Sequence, residues 1–249
     1  MPEGDRGAVI WTPVRTGDGS WTLAHPGHRE TCHSKAGAWQ QACARYAEGC
    51  RLGERAGIVR LLDVGTGIGL NLAAAYRATE GRLEAVSIER DASVIEAGRA
   101  LEQPSEVERW LAPVREALRS RSSFVHLELG DARAIVPTLE GTFDAVFLDP
   151  FSPRVEKDLW TFEFLSAIAR RMRPGSLLST YSASLSVRAA LAAAGLRVGP
   201  GARVGTKASG TLASPDLDLP PLDARTRRRV ERRQGGFLPS PETSSRSLP

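Results

Sequence analysis

The sequence contains no long apolar run. No stretch approaches the roughly 18 to 20 uninterrupted apolar residues of a membrane-spanning helix, and residues 1–11 lack the charged-then-apolar layout of a secretion signal. Cysteine is also scarce: Cys32, Cys43 and Cys50 are an odd number and lack the paired spacing of zinc ligands. We therefore expect a cytoplasmic protein with reduced thiols, no membrane partner and no metal site.

The overall composition excludes several further classes of protein. Of the 249 residues, 41% are hydrophobic and 25% are charged, with 24 Gly and 16 Pro. Collagen-like, wholly disordered and disulfide-scaffold proteins do not have this composition. The length fits one large domain, or one domain with appendages, and it supplies enough apolar residues for a sizeable core.

The positive charge is concentrated at the C-terminal end. The formal net charge of +4 lies within residues 222–249, where seven arginines stand against three acids, and the rest of the chain is neutral. The arginine-rich run at 225–233 would attract phosphates. A solvated charged helix and a disordered end are the alternatives, and the sequence leaves both open.

Strand-like and helix-like segments alternate through the middle of the chain. Strands are predicted at 58–64, 84–88, 124–129, 143–148 and 177–181. Helices are predicted at 70–78, 92–101, 107–118, 132–139, 162–172 and 185–194, with a stop signal at 173–175. This alternation indicates an open, doubly wound α/β fold, in which helices cover both faces of a mostly parallel sheet. Ligands of such sheets bind at the carboxyl ends of the strands.

Smaller elements are predicted at both ends of this repeat. An Asp-Gly turn within 16–19 predicts a hairpin of strands 9–14 and 20–23, and helical spacing predicts an amphipathic helix over 36–52. Segments 196–198 and 211–213 are candidates for an antiparallel edge pair. We therefore divide the chain into a hairpin and helix extension (1–55), a main α/β domain (56–214) and a partly disordered basic tail rich in Pro and Arg (215–249).

A glycine-rich turn follows the first strand of the repeat. Gly65, Gly67 and Gly69 lack the Cβ that would prevent a tight turn and a close approach to a ligand. Their Gly-x-Gly-x-Gly spacing differs from the dinucleotide fingerprint, which argues against a dehydrogenase. Asp63 would repel a diphosphate but suits a cationic amino-acid group. The combination resembles the first motif of class I S-adenosylmethionine-dependent methyltransferases, which implies a Rossmann-like fold with that cofactor.

Two further acids extend the predicted cofactor site. Glu89 closes the second strand, where a carboxylate can accept hydrogen bonds from both ribose hydroxyls. Asp131 follows the third strand, where its side chain can accept from an adenine amino group. Either acid could instead be a helix N-cap, and both roles can coexist.

An acid-Pro-aromatic sequence stands at the end of the fourth strand. A class I methyltransferase meets its acceptor at this position, so the resemblance implies that Asp149 would orient an amine and take its proton, and that Phe151 would offer a π face to a planar base. The structural alternative is a capped loop with a core-filling Phe.

Several linked motifs give a narrower resemblance. They lie at 18–20, 30–34, 37–38, 148–153, 158–161, 173–182, 186–188 with 195, and 205–207 with 210–211. Together they cover about residues 16–214 and resemble the methyltransferase part of the MnmC family, which makes 5-methylaminomethyl-2-thiouridine at the tRNA wobble position. Two positions depart from that pattern: Pro150 stands where we expect Gly, and Cys32 where we expect an aromatic residue.

The resemblance implies a reaction and a set of site residues. Asp149 would hold the primary amine of an aminomethyl uridine beside the sulfonium methyl, with catalysis mainly by proximity. Glu30 and Asp63 would approach the methionine end of the donor. The candidates on the acceptor side, each of which could equally serve packing or surface charge, are Phe151, Trp160, Tyr181 and Lys207.

The resemblance also implies tRNA as partner. The sequence has no second glycine-rich unit for the flavin-dependent oxidase half of the bifunctional members, so a stand-alone form is expected. The arginine-rich tail would then supply the grip on the tRNA phosphates. Two alternatives remain: a methyltransferase or aminopropyltransferase for a small amine or polyamine, and a catalytically silent module that binds the cofactor or RNA.

Overall fold

The computed structural model describes residues 10–120, 122–205 and 209–237, and its first element is an antiparallel hairpin. Strands β1 (Thr12–Arg15) and β2 (Trp21–Ala24) pair across the predicted turn. Asp18 fixes this turn, because its Oδ1 accepts hydrogen bonds from the backbone N–H (3.1 Å) and the hydroxyl (2.6 Å) of Ser20. Its Oδ2 accepts from the backbone N–H of Gln40 at 2.8 Å, which joins the turn to the next element. The predicted hairpin is confirmed.

The segment after the hairpin is helical, but it is not one regular helix. Helix α1 (Ala38–Gln41) continues as a π-helix over Ala42–Ala47, and a 3₁₀ turn follows at Leu52–Glu54. The π-helix buries the side chains of Arg45 and Tyr46. Because wide turns of this kind rotate side chains away from ordinary helical positions, the single helix predicted over 36–52 would have placed these two residues differently.

The remaining elements form the predicted β-α repeat. In chain order they are β3 (Val59–Val64), α2 (Leu70–Ala78), β4 (Leu83–Glu89), α3 (Ala92–Arg99), α4 (Ser105–Ala117), β5 (Val125–Leu129), α5 (Ala132–Ile135), β6 (Phe143–Leu148), α6 (Phe162–Ala169), β7 (Met172–Thr180), α7 (Leu185–Ala193), β8 (Arg197–Pro200), β9 (Thr211–Ser214) and α8 (Ala224–Gln234). Short 3₁₀ turns stand at Val136–Thr138 and Lys157–Trp160.

The described strands of this repeat form one sheet in the order β5-β4-β3-β6-β7-β9-β8. The strands from β5 to β7 are parallel, whereas β9 runs antiparallel to both β7 and β8. This is the doubly wound, Rossmann-like α/β fold that the sequence predicts, including its antiparallel edge pair. The strand order reverses between β3 and β6, and ligands of open α/β sheets bind in the crevice at such a switch point.

The start of β7 differs from the prediction. Helix α6 ends at Ala169, and the strand already begins at Met172, so residues 173–175 lie inside the strand instead of ending a helix that reaches 172. The pairing with β6 shifts between the partners Phe143–Met172 and Ala145–Leu177, which is a bulge. Pro174 is tolerated within it, since a bulged residue needs no ladder hydrogen bond.

Two buried clusters cover the two faces of the sheet. Every residue of β6 is buried, and its alternate side chains point to opposite faces. Phe147 packs in the cluster that also holds Trp39 and Tyr46, so the N-terminal segment shares the core of the repeat. No helix in the described part of the chain is long and apolar enough to cross a membrane.

Part of the predicted tail is an ordered helix. Asp223 caps α8 by accepting a hydrogen bond from the backbone N–H of Thr226 at 2.9 Å. Val230 is buried where α8 packs on α7, and Gln234 donates to the carbonyl of Ala192 at 3.1 Å. Of the two alternatives for the arginine-rich run, the structure therefore selects the charged helix for residues 224–234.

Candidate active site

A cleft of about 980 Å³ opens at the carboxyl ends of the parallel strands. Gly65 after β3, Glu89 at the end of β4, Asp131 after β5 and Asp149 after β6 all line it. Glu30, from the segment that follows the hairpin, lines it as well. Five residues singled out in the sequence thus meet in one cavity, at the edge of the sheet where the topology predicts a ligand.

The glycine turn shapes the floor of this cleft. Gly65 has φ +92°, and a Cβ at this position would lie 2.8 Å from the carbonyl oxygen of Asp149, which is too close for any side chain. Gly67 has φ +55°, and its nearest neighbour would be the Cβ of Cys32 at 3.8 Å, so its missing side chain leaves room in the cleft. Gly69 does not line the cleft; it packs against Val114 and Leu118 from α4 and its C-terminal end.

Glu89 braces the same turn from the side. Its Oε2 accepts a hydrogen bond from the backbone N–H of Gly67 at 2.9 Å, and its Oε1 accepts from those of Arg90 and Asp91 at 2.8 and 3.0 Å. Burial raises the pKa of Glu89 above its ordinary value, although these three donors act in the opposite direction. The carboxylate is thus fixed in the wall of the cleft.

Asp131 is more exposed and combines two roles. It caps α5 by accepting from the backbone N–H of Arg133 at 2.9 Å, as the N-cap alternative predicts. The Arg133 guanidinium donates to the same carboxylate and holds the pKa of Asp131 below its ordinary value. Arg133 also reaches Asp158 at 2.8 Å, so it joins two acids of the cleft wall.

Asp149 is held by two donors at the bottom of the cleft. The Tyr46 hydroxyl donates to its Oδ1, and the Asn71 side-chain amide donates to its Oδ2 at 2.7 Å. Burial raises the pKa of Asp149 to about 7, although the two donors and the nearby Arg45 guanidinium favour the charged form. A carboxyl group with such a pKa can gain and lose a proton near neutral pH.

Sequence reasoning missed both of these donors. Asn71 is the second residue of α2 and is buried among apolar neighbours. A polar residue at a buried helical position next to the glycine turn is a signal that could have identified it. Tyr46 gave no comparable signal, because it reaches Asp149 only through the π-helix.

Glu30 joins the N-terminal segment to the loop after β6. Its Oε1 accepts from the Ser152 hydroxyl at 2.5 Å, and its Oε2 accepts from the Ser152 backbone N–H at 3.1 Å. Arg154 lies 3.6 Å from the same carboxylate. Glu30 therefore holds the segment after the hairpin over the cleft.

The predicted acceptor-side residues occupy different places. Phe151 and Tyr181 line the cleft, and the Tyr181 hydroxyl donates to the carbonyl of Pro150 at 3.0 Å. Trp160 does not line it: its buried ring donates from Nε1 to the carbonyl of Phe151 at 2.9 Å and so supports the loop from behind. Lys207 lies outside the described residues.

An aromatic cluster surrounds Phe151. The ring of Trp11 lies parallel to it with centroids 6.4 Å apart, and the rings of His25 and His28 lie 5.8 and 5.6 Å from it. All four rings line the cleft. The cluster gives the mouth of the cleft a set of flat aromatic faces, which sequence reasoning identified only at Phe151.

Asp63 differs from its predicted place. Its side chain is fully buried and does not line the cleft. Its Oδ2 accepts from the Ser87 hydroxyl at 2.6 Å, whereas Oδ1 has no hydrogen-bond partner among the described residues. Burial raises the pKa of Asp63 to about 8, which favours a protonated, uncharged group. The strand-end position led to the expectation of a cofactor contact, but the side chain lies beneath the turn.

This buried carboxyl predicts a pH-dependent stability. The pKa of Asp63 rises from an ordinary 3.8 to about 8 on folding, so the folded chain binds the proton more tightly than the unfolded chain. The contribution of Asp63 to the free energy of unfolding is therefore largest below pH 4, falls as the pH rises and is level above about pH 8. The Asp63→Asn variant cannot ionise. We therefore expect its free energy of unfolding, relative to that of the original chain, to increase by a few kcal/mol as the pH rises from about 4 to about 8.

Urea unfolding of both proteins at pH 5 and pH 9 measures this difference. A variant whose stability follows the original chain at both pH values would contradict it. Binding of S-adenosylhomocysteine should survive in the variant, because Asp63 is outside the cleft.

The cleft also fits the cofactor that the resemblance implies. The open side of Gly67 leaves space next to the glycine turn, and Glu89 offers carboxylate oxygens there. Asp131 and Asp149 stand after the strands on either side of this space. A nucleoside with a cationic amino-acid end can therefore be placed with acceptors for its hydroxyl and amino groups.

Comparison with known sequences identifies relatives over most of the chain. A family model described as S-adenosyl-L-methionine-dependent methyltransferase matches residues 100–216. The bifunctional MnmC protein of Ralstonia nicotianae, named for tRNA 5-methylaminomethyl-2-thiouridine biosynthesis, is 33% identical over 84% of this chain and 35% of its own length. An uncharacterised protein of Methanocaldococcus jannaschii is 30% identical over 84% of this chain and 60% of its own. The chain thus spans less than two thirds of these relatives.

Comparison with solved structures gives the same result. The crystal structure of MnmC2 from Aquifex aeolicus matches with a TM-score of 0.79 and 31% identity, over 91% of this chain and 77% of that one. A spermidine synthase in complex with a transition-state analogue matches with a TM-score of 0.57 but only 13% identity, over 98% and 95% of the two chains, so it shares the fold alone. The chain therefore belongs to the MnmC-related family of S-adenosyl-L-methionine-dependent methyltransferases.

Proposed function

We propose that this chain methylates the primary amine of a 5-aminomethyl uridine, or of its 2-thio form, at the wobble position of tRNA. The S–CH3 bond of the donor would break as the N–CH3 bond forms, and the products would be the 5-methylaminomethyl nucleoside and S-adenosylhomocysteine. The observation that carries the proposal is the Asp149 carboxylate, which Tyr46 and Asn71 hold at the bottom of the cleft beside Gly65. The MnmC relatives, whose name refers to this nucleoside, support the choice of substrate.

Binding of the methyl donor is assigned to the glycine turn and to the acidic residues around it. S-adenosylmethionine, when bound, supplies an activated methyl group on a sulfonium. Glu89 would bind the ribose hydroxyls and Asp131 the adenine amino group, as carboxylates at these strand ends do in nucleoside sites. Gly65 and Gly67 leave the space, and Glu30 keeps the overlying segment in place.

Asp149 is assigned the proton chemistry. A protonated amine has no lone pair to offer, so the acceptor amine must lose a proton before it can react. The Asp149 carboxylate is placed to accept a hydrogen bond from this amine and then to take the proton on one of its Oδ atoms. Tyr46 and Asn71 orient the carboxylate, so that little rearrangement is needed at the moment of reaction.

The aromatic cluster is assigned to the acceptor base. A wobble nucleotide must leave the stack of its anticodon loop to reach a buried carboxylate, and extruded bases are held by stacking on aromatic side chains. Phe151 is followed directly by Ser152, which Glu30 fixes, so its ring is held at the mouth of the cleft. Tyr181 supports the same loop through the carbonyl of Pro150.

A methyl-incorporation assay tests the proposal. The purified chain is incubated with labelled S-adenosylmethionine and bulk tRNA that carries the unmethylated 5-aminomethyl uridine, and the tRNA is then digested for nucleoside mass spectrometry. We expect 5-methylaminomethyl uridine, or its 2-thio form, to appear. The matched control is tRNA that already carries the complete modification, which should take up no label.

The same assay separates the proposal from its main alternative. Small amines and polyamines replace tRNA in a parallel reaction with the same donor. Transfer to these amines, with no label in tRNA, would favour a small-amine transferase and overturn the proposal.

A further inference from the structure

We infer that the exposed face of helix α8 binds the phosphate backbone of RNA outside the reacting nucleotide; the inference rests on the proposed action on tRNA. The face is formed by Arg225, Arg228, Arg229 and Arg232, which we call the arginine stripe. These four side chains line one shallow groove of about 490 Å³. None of these four side chains lines the cleft described above.

Helical spacing places the stripe on one side of α8. Counted from Arg225, the other members follow after three, four and seven positions, which brings all four side chains to the same face of a helix. Val230, the buried residue of α8, points to the opposite side and packs on α7. From the first to the last arginine the stripe spans about 10 Å of helix, enough to meet about three consecutive phosphates of a strand.

The arginines of the stripe have no acidic partners among the described residues. No described carboxylate lies within salt-bridge distance of any of the four, and the one ion pair inside α8 joins Arg227 to Glu231 at 3.8 Å. Several arginines in or beside the cleft already pair with acids, namely Arg90, Arg133 and Arg154. Unpaired cations attract a polyanion most strongly, because no internal partner has to be displaced.

The helix that carries the stripe is firmly attached. Asp223 caps its first turn, and Gln234 donates to α7 near its last turn. Beyond the helix, Phe237 stacks on Phe162 at the start of α6, with ring centroids 5.6 Å apart. The four charges are therefore presented on a fixed surface, which lowers the ordering cost of binding.

The composition of α8 favours nucleic acid over an anionic membrane. A helix that lies on a bilayer inserts an apolar face between the lipids. Val230 is the one apolar residue of α8 that is larger than alanine, and it is buried against α7. The exposed positions carry six arginines and one glutamate but no large apolar residue, so this surface suits hydrated phosphates.

A matched pair of double variants of the full chain tests the inference. Arg228→Gln with Arg232→Gln removes two charges from the stripe, whereas Arg227→Gln with Arg233→Gln removes two from the flanks of the same helix. Binding of tRNA that lacks the modification is measured for both from 50 to 200 mM salt. We expect the stripe variant to raise Kd about tenfold and to reduce the slope of log Kd against log salt concentration by about 1.5, with little change in the flank variant.

Two further readouts separate the possible failures. Methyl transfer at saturating tRNA should be unchanged in the stripe variant, and so should binding of S-adenosylhomocysteine.

If the original chain methylates tRNA but the stripe and flank variants bind it equally well, the inference about α8 fails and the proposed function stands. If the original chain modifies no tRNA, the proposed function fails, and loss of RNA binding confined to the stripe variant would still support an RNA surface. Loss of binding to phosphatidylserine vesicles with RNA binding intact would overturn the inference in favour of a membrane.

Discussion

Replacing Asp149 by asparagine is expected to lower kcat for methyl transfer by about 10²- to 10⁴-fold, the range over which a positioned general base contributes. Asparagine has nearly the same shape, so Tyr46 and Asn71 still enclose it, but its amide cannot take a proton from the amine. S-adenosylhomocysteine should bind to the variant with unchanged Kd. The combination of lost kcat and retained ligand binding indicates a role in the chemical step, and loss of both would indicate a damaged cleft.

The pH dependence of the original chain gives the second part of this test. Under the proposed proton transfer the carboxylate form of Asp149 is the active one, and burial raises its pKa to about 7, so kcat should fall as the pH drops through that value. The variant should lose this acid limb. An acid limb that persists unchanged in the Asp149→Asn variant would mean that the titrating group is the amine itself or another residue.

Asp218→Asn provides the matched control for Asp149. The substitution is the same, but Asp218 is almost fully exposed and forms its ion pair with Arg197 at the far edge of the sheet. Its kcat and pH profile should match those of the original chain. Near-normal turnover in the Asp149→Asn variant would contradict the proposed proton transfer.

The parts of the fold that the sequence predicts depend on local patterns. The alternation of apolar strands and amphipathic helices predicts the sheet, and the glycine spacing predicts the turn that carries Gly65 and Gly67. Parallel strands bring their carboxyl ends to one edge, so Glu89, Asp131 and Asp149 are predicted to meet although they are far apart in the chain. These inferences need no knowledge of side-chain packing.

The parts of the structure that the sequence does not predict depend on contacts between distant segments. Tyr46 reaches Asp149 across 103 positions, and it does so through a π-helix that no spacing rule indicates. The position of Asp63 at a strand end predicts its edge of the sheet, but not that the side chain turns beneath the glycine loop. The arginine run of α8 contains one buried apolar residue, Val230, and a single residue gives no periodic pattern.

Replacing Asp144 is expected to have the largest effect on the free energy of unfolding. Its side chain is 1% exposed, and its Oδ2 accepts a hydrogen bond from the backbone N–H of Arg60 at 2.8 Å. Its Oδ1 faces two guanidinium groups, that of Arg55 at 3.5 Å and that of Arg173. One buried carboxylate thus joins the start of β3 to the bulge at the start of β7.

Asp144→Ala should lower the free energy of unfolding by about 3 kcal/mol. The loss arises because Arg55, which is mostly buried, keeps its charge without the carboxylate, and the Arg60 N–H loses its acceptor. Arg173 is half exposed and can turn to water, which places the loss at the lower end of the range for broken buried ion pairs. Urea unfolding should show a lower midpoint with an unchanged slope.

Two companion variants show whether the buried ion pair is the cause. Asp218→Ala removes a carboxylate that also pairs with an arginine but is 99% exposed, so its unfolding midpoint should equal that of the original chain. Asp144→Asn keeps an acceptor for the Arg60 N–H but loses the charge and the oxygen that faces the two guanidinium groups, so its midpoint should fall between those of the original chain and Asp144→Ala. Equal midpoints for Asp144→Ala and Asp218→Ala would mean that burial does not increase the contribution of this ion pair to the free energy of unfolding. In that case β3 and β7 would be held together by the apolar packing of the sheet alone.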